Sequence, residues 1–246
     1  MFSTLLLAAA GFFAGVLNAV AGGGSFLTFP ALVYAGLPPI SANATSTVAV
    51  FPGYLSAASG FIKEIRAFDR RVLFLFCVLS AIGGVAGGVL LLVTPAALFS
   101  GIVPWLLLVA TFLFAFDAPL RRLMVSEDGI GPKTRFVSTL AVTTYGGYFN
   151  GGLGIILYGL FASLGIRDVN LMAGLKSVMS SILSLTSVIT FAIAGIVHWN
   201  AAAMVMVMTI AGGYVGARVV RRLPVRVFRF AVIAIGLTMS VIFFLR

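Results

Sequence analysis

Long apolar runs, separated by short polar or glycine-rich stretches, dominate the chain. Runs long enough to cross a bilayer as a helix, roughly 20 residues, occupy residues 41–62, 72–94, 97–117, 171–195, 200–217 and 227–245. Two further apolar regions, 4–36 and 136–165, are interrupted, the first at Ala21-Gly22-Gly23-Gly24-Ser25 and the second at Asn150-Gly151-Gly152. Each glycine costs a helix about 1 kcal/mol relative to alanine, so these clusters predict breaks. Each interrupted region reads as a hairpin of two half-helices meeting inside the membrane. The N-terminal run has no basic stretch ahead of it and flows into the first glycine cluster. It is expected to belong to the fold rather than to a cleaved signal peptide.

Composition identifies the solvent. Of 246 residues, 61% are hydrophobic and 9% charged, where a soluble domain carries roughly 25% charged residues. So few charges cannot cover so much apolar surface in water, so the chain is expected to be an all-α polytopic membrane protein with lipid as its partner. The net charge of +10 does not point to nucleic acid, because the basic residues cluster in short stretches between apolar runs. Lys63, Arg66, Arg70 and Arg71 form one cluster, Arg121, Arg122, Lys133 and Arg135 a second, and Arg218, Arg221, Arg222 and Arg226 a third. The turns near Pro95 and His198 have no Lys or Arg. By the positive-inside rule the three basic stretches are cytoplasmic, and the chain is expected in the cell (inner) membrane. Counting crossings closes only if each broken hairpin enters and leaves on one side, which puts both termini outside. Arg246 is the one basic residue stranded there.

The halves share a plan: a broken hairpin followed by three spans. Gly22-Gly23 is followed twelve residues later by Ala35-Gly36-Leu37, and Gly151-Gly152 at the same spacing by Leu164-Gly165-Ile166. With a two-residue gap, the small and hydroxyl run from Ala42 to Ser46 matches the run from Ala173 to Ser177. Residues 1–117 and 136–246 are therefore expected to be two inverted repeats joined by a basic cytoplasmic stretch, 118–135. Inverted repeats with discontinuous helices are a recurring construction of secondary transporters.

A break in a membrane helix exposes backbone N–H groups that lipid cannot satisfy, so it must face protein or a water-filled cavity. Two half-helix N-termini meeting there suit an anion. The candidate substrate-binding residues are Asn18, Gly23, Gly24, Ser25, Asn43, Thr45, Ser46, Asn150, Gly151, Gly152, Lys176 and Ser177. The asparagines are the preferred donors, because an amide is costlier to leave in apolar surroundings than a hydroxyl. Lys176 falls about two turns into its span, and a lysine at that depth is a functional candidate. Within the predicted spans the one acidic residue is Asp117, at the last position of 97–117, and the others lie in the polar stretches between runs, which fits an anion site and argues against a cation pathway or a carboxylate proton relay. Cys77 and the serines at 180, 181, 184 and 187 read as packing residues, and His198 beside Trp199 as an interfacial anchor. One His and one Cys cannot supply a closed zinc site, and no cofactor or catalytic residue is expected.

The stretch from Gly11 to Pro30, with Asn18, Gly22-Gly23-Gly24-Ser25 and Thr28, followed by Ala42-Asn43-Ala44-Thr45-Ser46-Thr47, resembles the TauE/SafE sulfite exporter family. Gly151-Gly152 and Lys176-Ser177 resemble that family's second motif, with a shorter cluster that reads Gly151-Gly152-Leu153-Gly154. The resemblance covers nearly the whole chain. It implies export of small sulfur-containing anions such as sulfite or sulfoacetate, with ligand contacts at the glycine breaks and at Asn43, Thr45 and Ser46. A secondary transporter of a small anion is the expected function; an anion channel or a non-transporting membrane subunit are the alternatives, and a homo-oligomer is left open.

Overall fold

The structure is a computed structural model that describes residues 2–20, 23–116, 131–219 and 225–245. Ala21, Gly22, Arg121, Arg122, Arg221, Arg222, Arg246 and the stretch 117–130 lie outside the described residues. The described elements are all helices: α1 (Phe2–Val20), α2 (Ser25–Tyr34), α3 (Pro39–Gly60), α4 (Ile62–Ala67), α5 (Arg70–Val93), α6 (Ala96–Ala115), α7 (Pro132–Tyr148), α8 (Leu153–Ser163), α9 (Val169–Ile193), α10 (Trp199–Val219) and α11 (Val225–Phe244).

Local chemistry explains where they begin and end. Pro39 and Pro132 stand at the first turns of α3 and α7, where a missing N–H costs nothing. The Asp69 carboxylate accepts from the N–H groups of Arg71 and Val72 to start α5, and Asp168 accepts from Asn170 and Leu171 to start α9. After α2 and α8 the chain leaves through Gly36 (φ +100°) and Gly165 (φ +78°). Each exit is closed by the same bond, Leu37 N–H to the Leu32 carbonyl and Ile166 N–H to the Phe161 carbonyl. The short α4, carrying Lys63 and Arg66, is absent from the sequence expectation because six residues give no readable periodicity.

Both predicted breaks are present, but the hairpins are lopsided. α1 and α7 have 19 and 17 residues, whereas α2 and α8 have 10 and 11. At 1.5 Å per residue the returning limbs reach only about 15–17 Å, half the hydrocarbon thickness. The glycine cluster sits past the middle of each apolar run, so the first limb is the longer.

Among the described residues three helices, Arg70–Val93, Ala96–Ala115 and Val169–Ile193, are long and apolar enough to cross a membrane by length and composition alone. α3 has 22 residues and a length of about 33 Å, yet buries Asn43, Thr45, Ser46 and Thr47. Its polar residues are turned into the bundle. Large apolar side chains such as Phe74, Leu98, Trp105, Phe112, Ile193 and Phe230 are more than half exposed, which is stable only where the surrounding solvent is apolar.

Glycines let the helices approach. Added Cβ atoms at Gly11 and Gly15 of α1 would meet the backbone of Val205 and Thr209 on α10; at Gly83 and Gly87 of α5 they would meet Thr143 and Thr144 on α7. The order of these contacts makes α1 parallel to α10 and α5 parallel to α7. Further contacts, Thr209 with Ala49 and Ser187 with Gly84, align α3 with α10 and α9 with α5. α3 and α9 are antiparallel: Gly174, early in α9, abuts Phe61 and Ile65, and His198, just past its end, bonds Thr45. Thus α1, α3 and α10 run one way and α5, α7 and α9 the other. α6 packs on α11.

Candidate functional site at two helix breaks

At the first break the chain turns through Gly23, at φ +136°, a conformation open to glycine and strained for other residues. Asn18, in the last turn of α1, reaches across the gap. Its Oδ1 accepts from Gly23 N–H at 3.0 Å and Gly24 N–H at 2.7 Å, so the side chain stands in for the missing helical carbonyl. Gly24 is required by this embrace, because a Cβ there would lie 2.7 Å from Asn18 Nδ2 and 2.9 Å from the Ala14 carbonyl oxygen. Asn18 Nδ2 and Ser25 Oγ are then left buried with no hydrogen-bond partner among the described residues. Ser25, the first residue of α2, is 4% exposed. Ser80 Oγ on α5 and Thr139 Oγ1 on α7 are likewise unpaired among the described residues, but only at the break do two such donors, each costing about 1–3 kcal/mol, stand together at a helix N-terminus.

The second break is finished differently. Gly152, at φ +75°, starts α8. Asn43 Nδ2 donates to the Tyr148 carbonyl at 2.8 Å, satisfying the end of α7. The Tyr145 hydroxyl donates to the Gly151 carbonyl at 2.7 Å. Asn150, 2% exposed, accepts from the Tyr54 hydroxyl at 3.2 Å and donates to Ser184 Oγ at 3.5 Å. Each side chain at this break has a partner.

The breaks come together in the interior. The Phe26 ring stands at Gly152, and Phe29 meets Phe149 edge-on at 5.6 Å between centroids. Tyr54 of α3 bridges them: its hydroxyl bonds Asn150 and lies near the Ser25 hydroxyl without hydrogen-bond geometry to it. Gly53 beside it leaves space over Asn18 Nδ2, 3.6 Å from where a Cβ would be.

Of the sequence candidates, Asn18, Gly23, Gly24, Ser25, Asn150, Gly151 and Gly152 gather around this junction. Ser46 pairs with Thr28 Oγ1 at 2.6 Å, one turn from the first break. Thr45 is engaged elsewhere, its Oγ1 accepting from His198 N–H at 3.1 Å. Ser177 bonds back to the Ala173 carbonyl of its own helix. Lys176 is buried, 8% exposed, with its ammonium 5.2 Å from the centre of the Tyr158 ring. It precedes Ser184 by eight residues, about 12 Å along α9, and helical side chains lean toward the N-terminus. The structure does not bring it to the breaks. The described acidic residues, Glu64, Asp69 and Asp168, lie on α4 and at the helix caps. Sequence reasoning missed Tyr54 and treated Ser184 as packing. The triplet Pro52-Gly53-Tyr54 inside an apolar run was the available signal.

Fold and surface define a polytopic α-helical membrane protein with a buried polar centre. The chain belongs to the TauE/SafE sulfite exporter family: the family model described as "Sulfite exporter TauE/SafE" matches residues 7–243. It is 29% identical over 221 residues to a "Probable membrane transporter protein" of Haemophilus influenzae, covering 87% of this chain and 84% of that one. It is also 24% identical over 229 residues to the "Probable membrane transporter protein YfcA" of Escherichia coli K12, covering 92% and 84%. No solved structure matches the chain. The protein is a membrane transporter, and its family implies a role other than catalysis.

Proposed function

We propose that the protein is a secondary transporter that exports a small anion, sulfite or a small organosulfonate such as sulfoacetate, by alternating access around the junction of the two breaks. The observation that carries this reading is the pair of buried donors, Asn18 Nδ2 and Ser25 Oγ, at the N-terminus of α2, which have no partner among the described residues. They sit where a second half-helix, α8, also begins. Dipoles and donors directed at one point in a low-dielectric interior favour an anion. The sulfur in the substrate comes from the family's description alone.

In this reading residues 1–117 and 136–246 are inverted repeats. α1, α3 and α5 correspond to α7, α9 and α10, and each pair runs in opposite directions. The basic α4 lies against the first turns of α9, so the positive-inside rule makes that end cytoplasmic and the termini external, in an inner membrane. Lys176 then stands on the cytoplasmic approach to the site. Asn43 holds the second break in shape, and Thr45 ties α3 to the start of α10. Rocking of one repeat against the other would expose the junction to each side in turn.

Reconstitution into liposomes tests the proposal. Labelled sulfite should accumulate by counterflow against unlabelled sulfite inside, with saturable kinetics. Non-saturable flux would point to a channel. Absence of any sulfur-anion flux, beside clear flux of another solute, would retire the substrate assignment.

A further inference from the structure

We infer that the junction selects a singly charged oxyanion over a doubly charged one, and that the Tyr54 hydroxyl is one of its ligands. The inference rests on reading the breaks as an anion site. It follows from counting what surrounds the junction.

Among the described residues the polar side chains there, Asn18, Ser25, Thr28, Ser46, Tyr54, Asn150 and Ser184, are all neutral. Lys176 is held away by its seat on Tyr158. Positive potential therefore comes from the N-termini of α2 and α8, each equivalent to about half an elementary charge. Their sum, about +1, offsets one negative charge. A second would be buried without compensation, which an apolar interior penalises heavily.

The donors fit the same ligand. Asn18 uses its oxygen on Gly23 and Gly24, which leaves both amide protons of Nδ2 for a ligand. Ser25 adds one hydroxyl. Tyr54 adds another, now resting on Asn150 at 3.2 Å, which is long for a hydroxyl donor. Rotation of that O–H exchanges a weak bond for a stronger, charge-assisted one to the anion. A sulfonate or hydrogen sulfite group presents oxygens to all these donors with one net charge. Sulfate, or a second acid group on the same small molecule, such as the carboxylate of sulfoacetate, brings an extra charge that nothing here receives, so among the proposed substrates hydrogen sulfite and monosulfonates are favoured over sulfoacetate.

The test is thermal stabilisation of the purified full-length protein at fixed ionic strength, titrated with methanesulfonate, ethane-1,2-disulfonate, sulfate and chloride. Methanesulfonate is expected to bind at least about tenfold more tightly than either divalent anion. Tyr54→Phe, which keeps the ring, is expected to weaken methanesulfonate about tenfold. If that variant does not fold, Ser25→Ala carries the same expectation for the donor set. Equal or tighter binding of the divalent anions would overturn charge selection and leave the anion site standing. Wild-type methanesulfonate affinity in Tyr54→Phe would remove the tyrosine. Stabilisation by none of the four would bring down the anion site itself, and the inference with it.

Discussion

The two breaks share a blueprint and differ in finish. Each interrupts a hairpin at a glycine in a positive-φ conformation, and each returning limb ends in the same glycine-closed turn. At the second break, Asn43, Tyr145, Tyr54 and Ser184 take up the polar groups around Asn150 and Gly151. At the first, one asparagine secures the backbone and two donors have no partner among the described residues. On the proposed reading the two copies divide their labour: the more fully bonded one serves as the fixed wall, and the under-bonded one as the receptor. The difference lies in side chains on α3, α7 and α9, outside the repeated glycine motif.

The contrast is broken most strongly at the glycines. Gly152→Val would put a branched side chain at φ +75° with its Cβ 2.8 Å from Ala110 Cβ. It should cost about 3 kcal/mol or more, through strain and overpacking together, read as lost folded yield in detergent. Gly23→Ala meets only the Phe26 ring at 3.3 Å, so its cost is mainly the backbone strain, about 1–3 kcal/mol. Equal losses at the two sites would mean the second break is no better packed than the first.

Asn43→Ala leaves the Tyr148 carbonyl without its partner. It should lower stability by about 1–3 kcal/mol while the folded fraction keeps its anion affinity within a few-fold. A thermal melt with an anion titration reads both quantities. Collapse of affinity at unchanged melting temperature would make Asn43 a ligand and erase the distinction between wall and receptor.

Asn18→Asp sharpens the comparison from the other side. The carboxylate keeps an acceptor for the Gly23 and Gly24 N–H groups but removes the free donors and adds a negative charge. Stability should hold near the wild-type value, and anion affinity should fall about 10- to 100-fold. A large drop in melting temperature with affinity intact would show that Asn18 serves the fold alone.

The breaks were legible because three glycines in an apolar run have few other uses, and the long helices because hydrophobic run length survives any tertiary context. The polar junction was only partly legible. Asn18 and Ser25 stood out beside the glycines, but Tyr54 is 29 residues beyond Ser25 and reaches the junction through the crossing of α3 with both hairpins. Nor could spacing reveal that Asn43 and Thr45, two residues apart on one helix, serve different partners, Tyr148 and His198. Lys176 was grouped with the breaks because depth along a span can be counted, whereas the side chain's direction depends on the ring of Tyr158 on another helix.

Lys176 gives the smallest expected effect and the finest test. As a cation on the approach, it would raise the local anion concentration without touching the bound anion. That contribution is screened by salt. Lys176→Met should therefore raise the KM for uptake from the cytoplasmic face only a few-fold, more at low ionic strength than at high. The anion-induced thermal shift should persist, because the neutral donors at the junction are untouched. Oriented vesicles separate the two faces, and the KM measured from the external face should not change. A tenfold or greater loss of anion affinity, insensitive to salt, would instead mean that the lysine swings from Tyr158 to the junction during transport. The receptor would then carry a full positive charge, and its preference for singly charged anions would need a different physical basis.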